Sequence, residues 1–73
     1  MYTINVYDYY TGELDEIESN QDLFNSIEEA VKHLKSFDFN FQDPNDKTMF
    51  IKAFPGIDMY EPIELIKIEL VNN

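Results

Sequence analysis

The chain has no cysteine, which excludes disulfide staples, thiolate zinc sites, iron–sulfur clusters and a cysteine nucleophile together. Arginine is also missing, and His33 is the only histidine. Two glycines, Gly12 and Gly56, are too few for a phosphate-cradling loop. No apolar run approaches the ~18 residues of a membrane span, and no basic region followed by an apolar run opens the chain, so a cytoplasmic protein is the expectation. Basic residues are scarce: five lysines face fifteen acids, for a net charge of -10 and a pI near 4.1. That balance opposes direct binding to nucleic acid or anionic lipid and favours a basic protein as partner.

The chain is rich in core-forming residues. Leu, Ile, Val and Phe make up 22 of 73 residues, above the level of a disordered chain. A chain of this length holds one core, so residues 1–73 are expected to form a single small acidic domain of narrow stability.

Tyr2 to Tyr7 alternates, with Tyr2, Ile4 and Val6 on one face and Thr3, Asn5 and Tyr7 on the other, as in a half-buried strand. Gly12 supplies the positive φ of a hairpin loop leading to a second strand over 13–18. Leu14 and Ile17 are three apart there, so a bulge near Asp15 and Glu16 is needed to turn both inward. Ser26-Ile27-Glu28-Glu29 reads as a capping box, with the Glu29 carboxylate reaching back to the Ser26 amide. The helix it starts carries an apolar stripe of Ile27, Ala30, Val31, Leu34 and Phe37, with Glu28–Lys32 and Glu29–His33 as i,i+4 pairs.

Beyond the helix, Phe37 to Gln42 alternates aromatic and polar residues, leaving a short strand at 39–42 optional. A strand over 47–54 then places Met49, Ile51 and Ala53 opposite Phe50, Lys52 and Phe54. Pro55-Gly56 fits a type II turn, and residues 63–71 read as the last strand, with a helix begun at Pro62 as the alternative. The expected fold is α+β, one helix packed on a four- or five-stranded antiparallel sheet, in the order β-β-α-(β)-β-β.

Catalytic and metal readings are weak. A lone His33 on the helix edge lacks the nucleophile and orienting group of a hydrolytic triad, and neighbouring carboxylates on one strand or helix point apart. Asp43-Pro44-Asn45-Asp46 lacks the ligand order of an EF-hand and suits a turn. No enzyme activity, cofactor or metal site is expected.

The charge is unevenly placed. Residues 1–31 contain eight acids and no lysine, a charge of -8, whereas the remaining 42 residues carry -2. Four of the five tyrosines lie in the first ten residues. Tyr7, Tyr9 and Tyr10, with Glu13, Asp15, Glu16, Glu18, Asp22, Glu28 and Glu29, are therefore the candidate partner-binding residues, tyrosine giving rigid contact area and carboxylates complementarity to a basic surface. Such a run of anionic groups imitates a phosphate backbone and would attract a nucleic-acid-binding protein. In size and charge the chain is similar to the small acidic inhibitors that phages and mobile elements make against restriction, CRISPR or transcription machinery. The competing reading is an accessory or assembly subunit, or a homodimer, with no mimicry role.

Overall fold

The computed structural model describes residues 1–19 and 22–71. Among them the order is β1 (Tyr2–Asp8), β2 (Leu14–Asp15), β3 (Leu23–Phe24), α1 (Ile27–Lys35), β4 (Asn40–Gln42), β5 (Met49–Pro55) and β6 (Tyr60–Leu70). All pairings are antiparallel. The main path of the sheet is β2-β1-β6-β5-β4, and β3 joins the free side of β1 beside β2. The domain is α+β as expected, but the sheet has six strands rather than four or five, and three strands precede the helix. The additional strand, β3, is a two-residue pairing of Leu23 and Phe24 with Thr3 and Tyr2, too short to carry a periodic signal.

The first hairpin begins as its sequence requires. Gly12 adopts φ 74°, its amide donates to Asp8 O, and the Asp8 amide donates to Glu13 O. The expected strand over 13–18 shrinks to Leu14–Asp15, because Asp15 Oδ1 accepts the amides of Ile17 and Glu18 and Asp15 O accepts that of Ser19. This Asx turn takes amides that a ladder would have used. Leu14 and Ile17 are consequently exposed, Ile17 at 84 %, instead of both facing inward.

Ser26 caps α1, accepting from the Glu29 amide. The Glu29 carboxylate returns to the amide of Asn25, one residue earlier than expected. Neither anticipated i,i+4 pair forms, since Glu28 meets Lys47 at 3.5 Å instead. The helix stops at Lys35 with Ser36 as its C-cap, which leaves Phe37 outside the helical stripe and exposed.

Pairing of Val6 with Ile66 and of Phe50 with Ile66 puts these residues on one face of the sheet. There they form the core with Ala30, Leu34 and Ile68, and Phe50 is fully buried. The optional strand at 39–42 exists as β4 without its first residue, because Phe39 takes φ 68°. β5 keeps the expected alternation, because the irregularity lies on β6: Lys52 pairs with Glu64 but Ala53 with Pro62, making Ile63 the extra residue. A bulge there accommodates Pro62 inside an eleven-residue strand and removes the helical alternative. Gly56 is not at positive φ, so the expected type II turn does not form. Glycine is needed for space instead, since a Cβ there would lie 2.7 Å from Met59 O. The Asp43–Asp46 segment bends, with Asp43 Oδ1 accepting from the Asn45 amide, but the hydrogen-bonded turn lies one step on, where the Met49 amide donates to Asp46 O and Asp46 Oδ1 accepts from both Thr48 donors.

Candidate functional site

α1 lies across the strands, in contact with β1 and β3 toward one edge of the sheet and with β4 at the other. A helix is ~10 Å wide whereas seven-residue β1 and β5 run ~23 Å, so α1 cannot cover their whole length, and a groove of about 610 Å³ remains along one flank. Ile4, Val6, Leu34 and Ile66 lie along its floor. The rings of His33, Phe37, Phe39 and Phe54 wall it: His33 is 5.1 Å from Phe37 and is backed by Phe24 of the core at 5.3 Å, and Phe39 contacts Phe54 at 5.0 Å. Four carboxylates, Glu18, Asp22, Asp38 and Glu64, border it against the single cation Lys52.

Phe39 holds its place at a backbone cost. Its φ of 68° is in the left-handed region, where a bulky side chain is disfavoured by about 1–3 kcal/mol. The Ala53 amide donating to Phe39 O fixes this bend, and the Asn40 amide group closes the nearby helix end by donating to Leu34 O.

The acidic segment after β2 is fastened to the sheet by side chains. Ser19 Oγ accepts from Val6 N at 2.8 Å and donates to Val6 O at 3.2 Å, acting as a one-residue strand between β2 and β3. Thr3 Oγ1 donates to Asp22 O. Together these contacts cover the outer edge of β1, which would otherwise be open to pairing.

Fastened in this way, Asp15 and Glu18 meet Glu64 of β6, with one carboxylate oxygen from each lying within 4.8 Å of the others. Burial pushes the Glu64 carboxyl above the usual range, repulsion from Glu18 and Asp15 adds to this, and Lys52 at 3.9 Å opposes it. Among the described residues these three carboxylates are close enough together to share a cation, whether a hard metal ion or an ammonium group.

The ten sequence-chosen residues do not share one surface. Asp15, Glu18 and Asp22 gather on the groove side, and Glu13 adjoins Asp15 in a small cleft with Asp8 and Glu64. Glu16 lines a different cleft with Thr3, Asn5 and Leu14. Tyr7 is half-buried on the sheet face away from the helix; its hydroxyl donates to Glu69 at 2.6 Å and its ring lies 5.2 Å from Lys67 Nζ. The Glu69 hydrogen bond is the main cause holding the Tyr7 phenol above its ordinary pKa. Tyr9 and Tyr10 pack edge to face at the exposed tip of the first hairpin. Glu28 and Glu29 stand at the N-terminus of α1. Across the helix from the acidic groove, Lys32, Lys35 and Lys47 line a second hollow with Ile27 and Val31.

Sequence reasoning missed Asp38, Glu64, Phe37, Phe39 and Phe54. One signal was present: three phenylalanines at alternate positions directly after the helix cannot all be buried by so short a strand. No protein-family model matches the chain, and neither a curated protein nor a solved structure matches it.

Proposed function

We propose that this is a non-enzymatic protein-binding module of the cytoplasm that captures a basic, nucleic-acid-binding protein by offering carboxylates where that protein expects phosphates. The observation that carries the reading is the lack of internal neutralisation. Among the described residues, Glu28 is the one acid of the first 31 residues that forms an ion pair with a lysine. Asp15 and Glu18 instead converge on Glu64, which is itself an acid. Like charges held this close repel, and a lysine or arginine from a partner relieves the repulsion. In this role the protein is a stoichiometric blocker comparable to the acidic inhibitors of phages and mobile elements.

The test immobilises the protein, captures from host lysate at low salt, and elutes with duplex DNA. Basic nucleic-acid-binding proteins released by the duplex are the expected result, with capture abolished in a folded variant carrying Asp15→Lys, Glu16→Lys and Glu18→Lys. Capture that is indifferent both to the duplex and to the triple reversal refutes the reading.

A second reading, an assembly subunit or homodimer, is favoured by the sheet face opposite α1. Strand register places Ile51 and Leu65 on that face with Phe41, whose ring packs against Tyr60, and no element covers it among the described residues. Sedimentation at rising concentration separates the two readings, because an apolar dimer persists in high salt whereas charge-driven capture weakens.

A further inference from the structure

We infer that the groove beside α1 is the seat of the partner, and that it receives an apolar side chain flanked by lysine or arginine, as presented by a basic amphipathic segment. The inference rests on the proposed capture of a basic protein and adds where and how the contact is made. Charge complementarity selects the occupant: four carboxylates border an apolar floor and only Lys52 opposes them. A purely anionic or purely apolar segment would meet repulsion or leave the bordering charges unpaired. Purely cationic chains satisfy the border and leave the floor wet.

The aromatic wall adds a second, independent observation. Phe39 is 37 % exposed although its backbone is held in an unfavourable region, and Phe37 and Phe54 beside it are also exposed. A turn that needed only to join α1 to β4 would be better served by glycine at position 39. The ring that stands there widens the apolar wall where an incoming side chain would rest. Apolar anchors surrounded by a charged border are the arrangement through which grooves bind amphipathic helices.

The probe is a short synthetic Leu/Lys peptide with its leucines on one helical face, compared with a Gln/Lys peptide of equal charge and a Leu/Glu peptide of equal apolar content. Binding is followed by calorimetry and by NMR shifts of the isotope-labelled protein. The Leu/Lys peptide is expected to bind at least about tenfold more tightly than either control, with shifts concentrated at Leu34, Phe37, Phe39 and Phe54. Phe39→Gly removes the ring at a position where glycine is the least strained residue, so this variant folds and is expected to lose that advantage. Glu18→Gln combined with Glu64→Gln tests the border in the same way.

Equal binding of the Leu/Lys and Gln/Lys peptides overturns the groove and leaves acidic capture standing. Shifts confined to the opposite sheet face, or an unchanged preference in Phe39→Gly, also overturn it. Failure of both cationic peptides to bind refutes the groove together with the reading on which it rests, and tight binding of the Leu/Glu peptide removes the acids from the mechanism.

Discussion

Replacing Ser19 with alanine tests how the acidic segment is held. The hydroxyl is 2.8 Å from Val6 N and 3.2 Å from Val6 O, and both residues are buried. Each hydrogen bond contributes about 0.5–1.5 kcal/mol net, and a buried backbone group left without a partner costs about 1–3 kcal/mol. Water can reach a strand edge more easily than a core, so about 2–3 kcal/mol is expected for the pair of bonds. A chain of 73 residues at ~0.05–0.15 kcal/mol per residue has a total stability of roughly 4–11 kcal/mol, so this one hydroxyl is a substantial share. At ~4–8 °C per kcal/mol the melting temperature should fall by roughly 8–24 °C. Urea melts give the free energy, and hydrogen exchange at the Val6 amide locates it. In the Ser19→Ala protein that amide should lose protection before Phe50 does, because the segment detaches before the core opens. A cost below about 0.5 kcal/mol, or unchanged exchange at Val6, would falsify the argument that Ser19 stands in for a strand.

Leu34→Ala truncates a side chain that is 5 % exposed and forms both core and groove floor; it should cost about 2–5 kcal/mol in urea unfolding, and a loss under about 1 kcal/mol would misplace the helix face. Glu64 titrates higher in the folded protein than in the unfolded chain. The folded state therefore binds the extra proton, and stability rises as pH falls from neutral through the folded pKa toward the ordinary carboxylate value, where the gain is complete. Glu64→Gln should accordingly be more stable than the parent at neutral pH and should lack this rise, since burial and Glu18 outweigh Lys52 at this site; thermal melts across that window check both, and a destabilised, equally pH-sensitive variant would contradict the assignment. Lys47→Ala breaks an ion pair whose two side chains are 65 % and 75 % exposed, and melting should move by less than about 1 kcal/mol equivalent.

What was legible in the sequence follows the range of the physics involved. Capping at Ser26 is settled within one turn, and the helix began where the motif placed it. Alternation along β1 and β5 reports which residues face the core, and it held where one face is covered by α1. The second hairpin strand did not hold, because the spacing of Leu14 and Ile17 is equally the spacing of a turn, and Asp15 supplies the acceptor that turn needs. No local pattern announces that Ser19 will reach Val6, thirteen residues away. The site was less legible than the fold. Charge asymmetry pointed at residues 1–31, but Glu64, the acid against which Asp15 and Glu18 gather, comes from a strand in the nearly neutral remainder of the chain.

Ser19, Thr3 and the acidic segment also tie binding to stability. Ser19, next to Glu18, and Asp22 are themselves bonded to the edge of β1, so these carboxylates are in position only while those bonds are closed. A cation seated between Glu18 and Glu64 links the segment to β6 from the other side and favours the closed form. Partner binding should therefore stabilise the whole domain, by about 2.7 kcal/mol at a hundredfold excess over Kd, which is comparable to the loss expected from Ser19→Ala. The two effects should also be coupled: the Ser19→Ala protein must order its segment before it can bind, so its affinity falls although the missing hydroxyl touches no partner. An unchanged affinity in that variant would mean that the acids act as a diffuse field and that their placement around the groove contributes nothing.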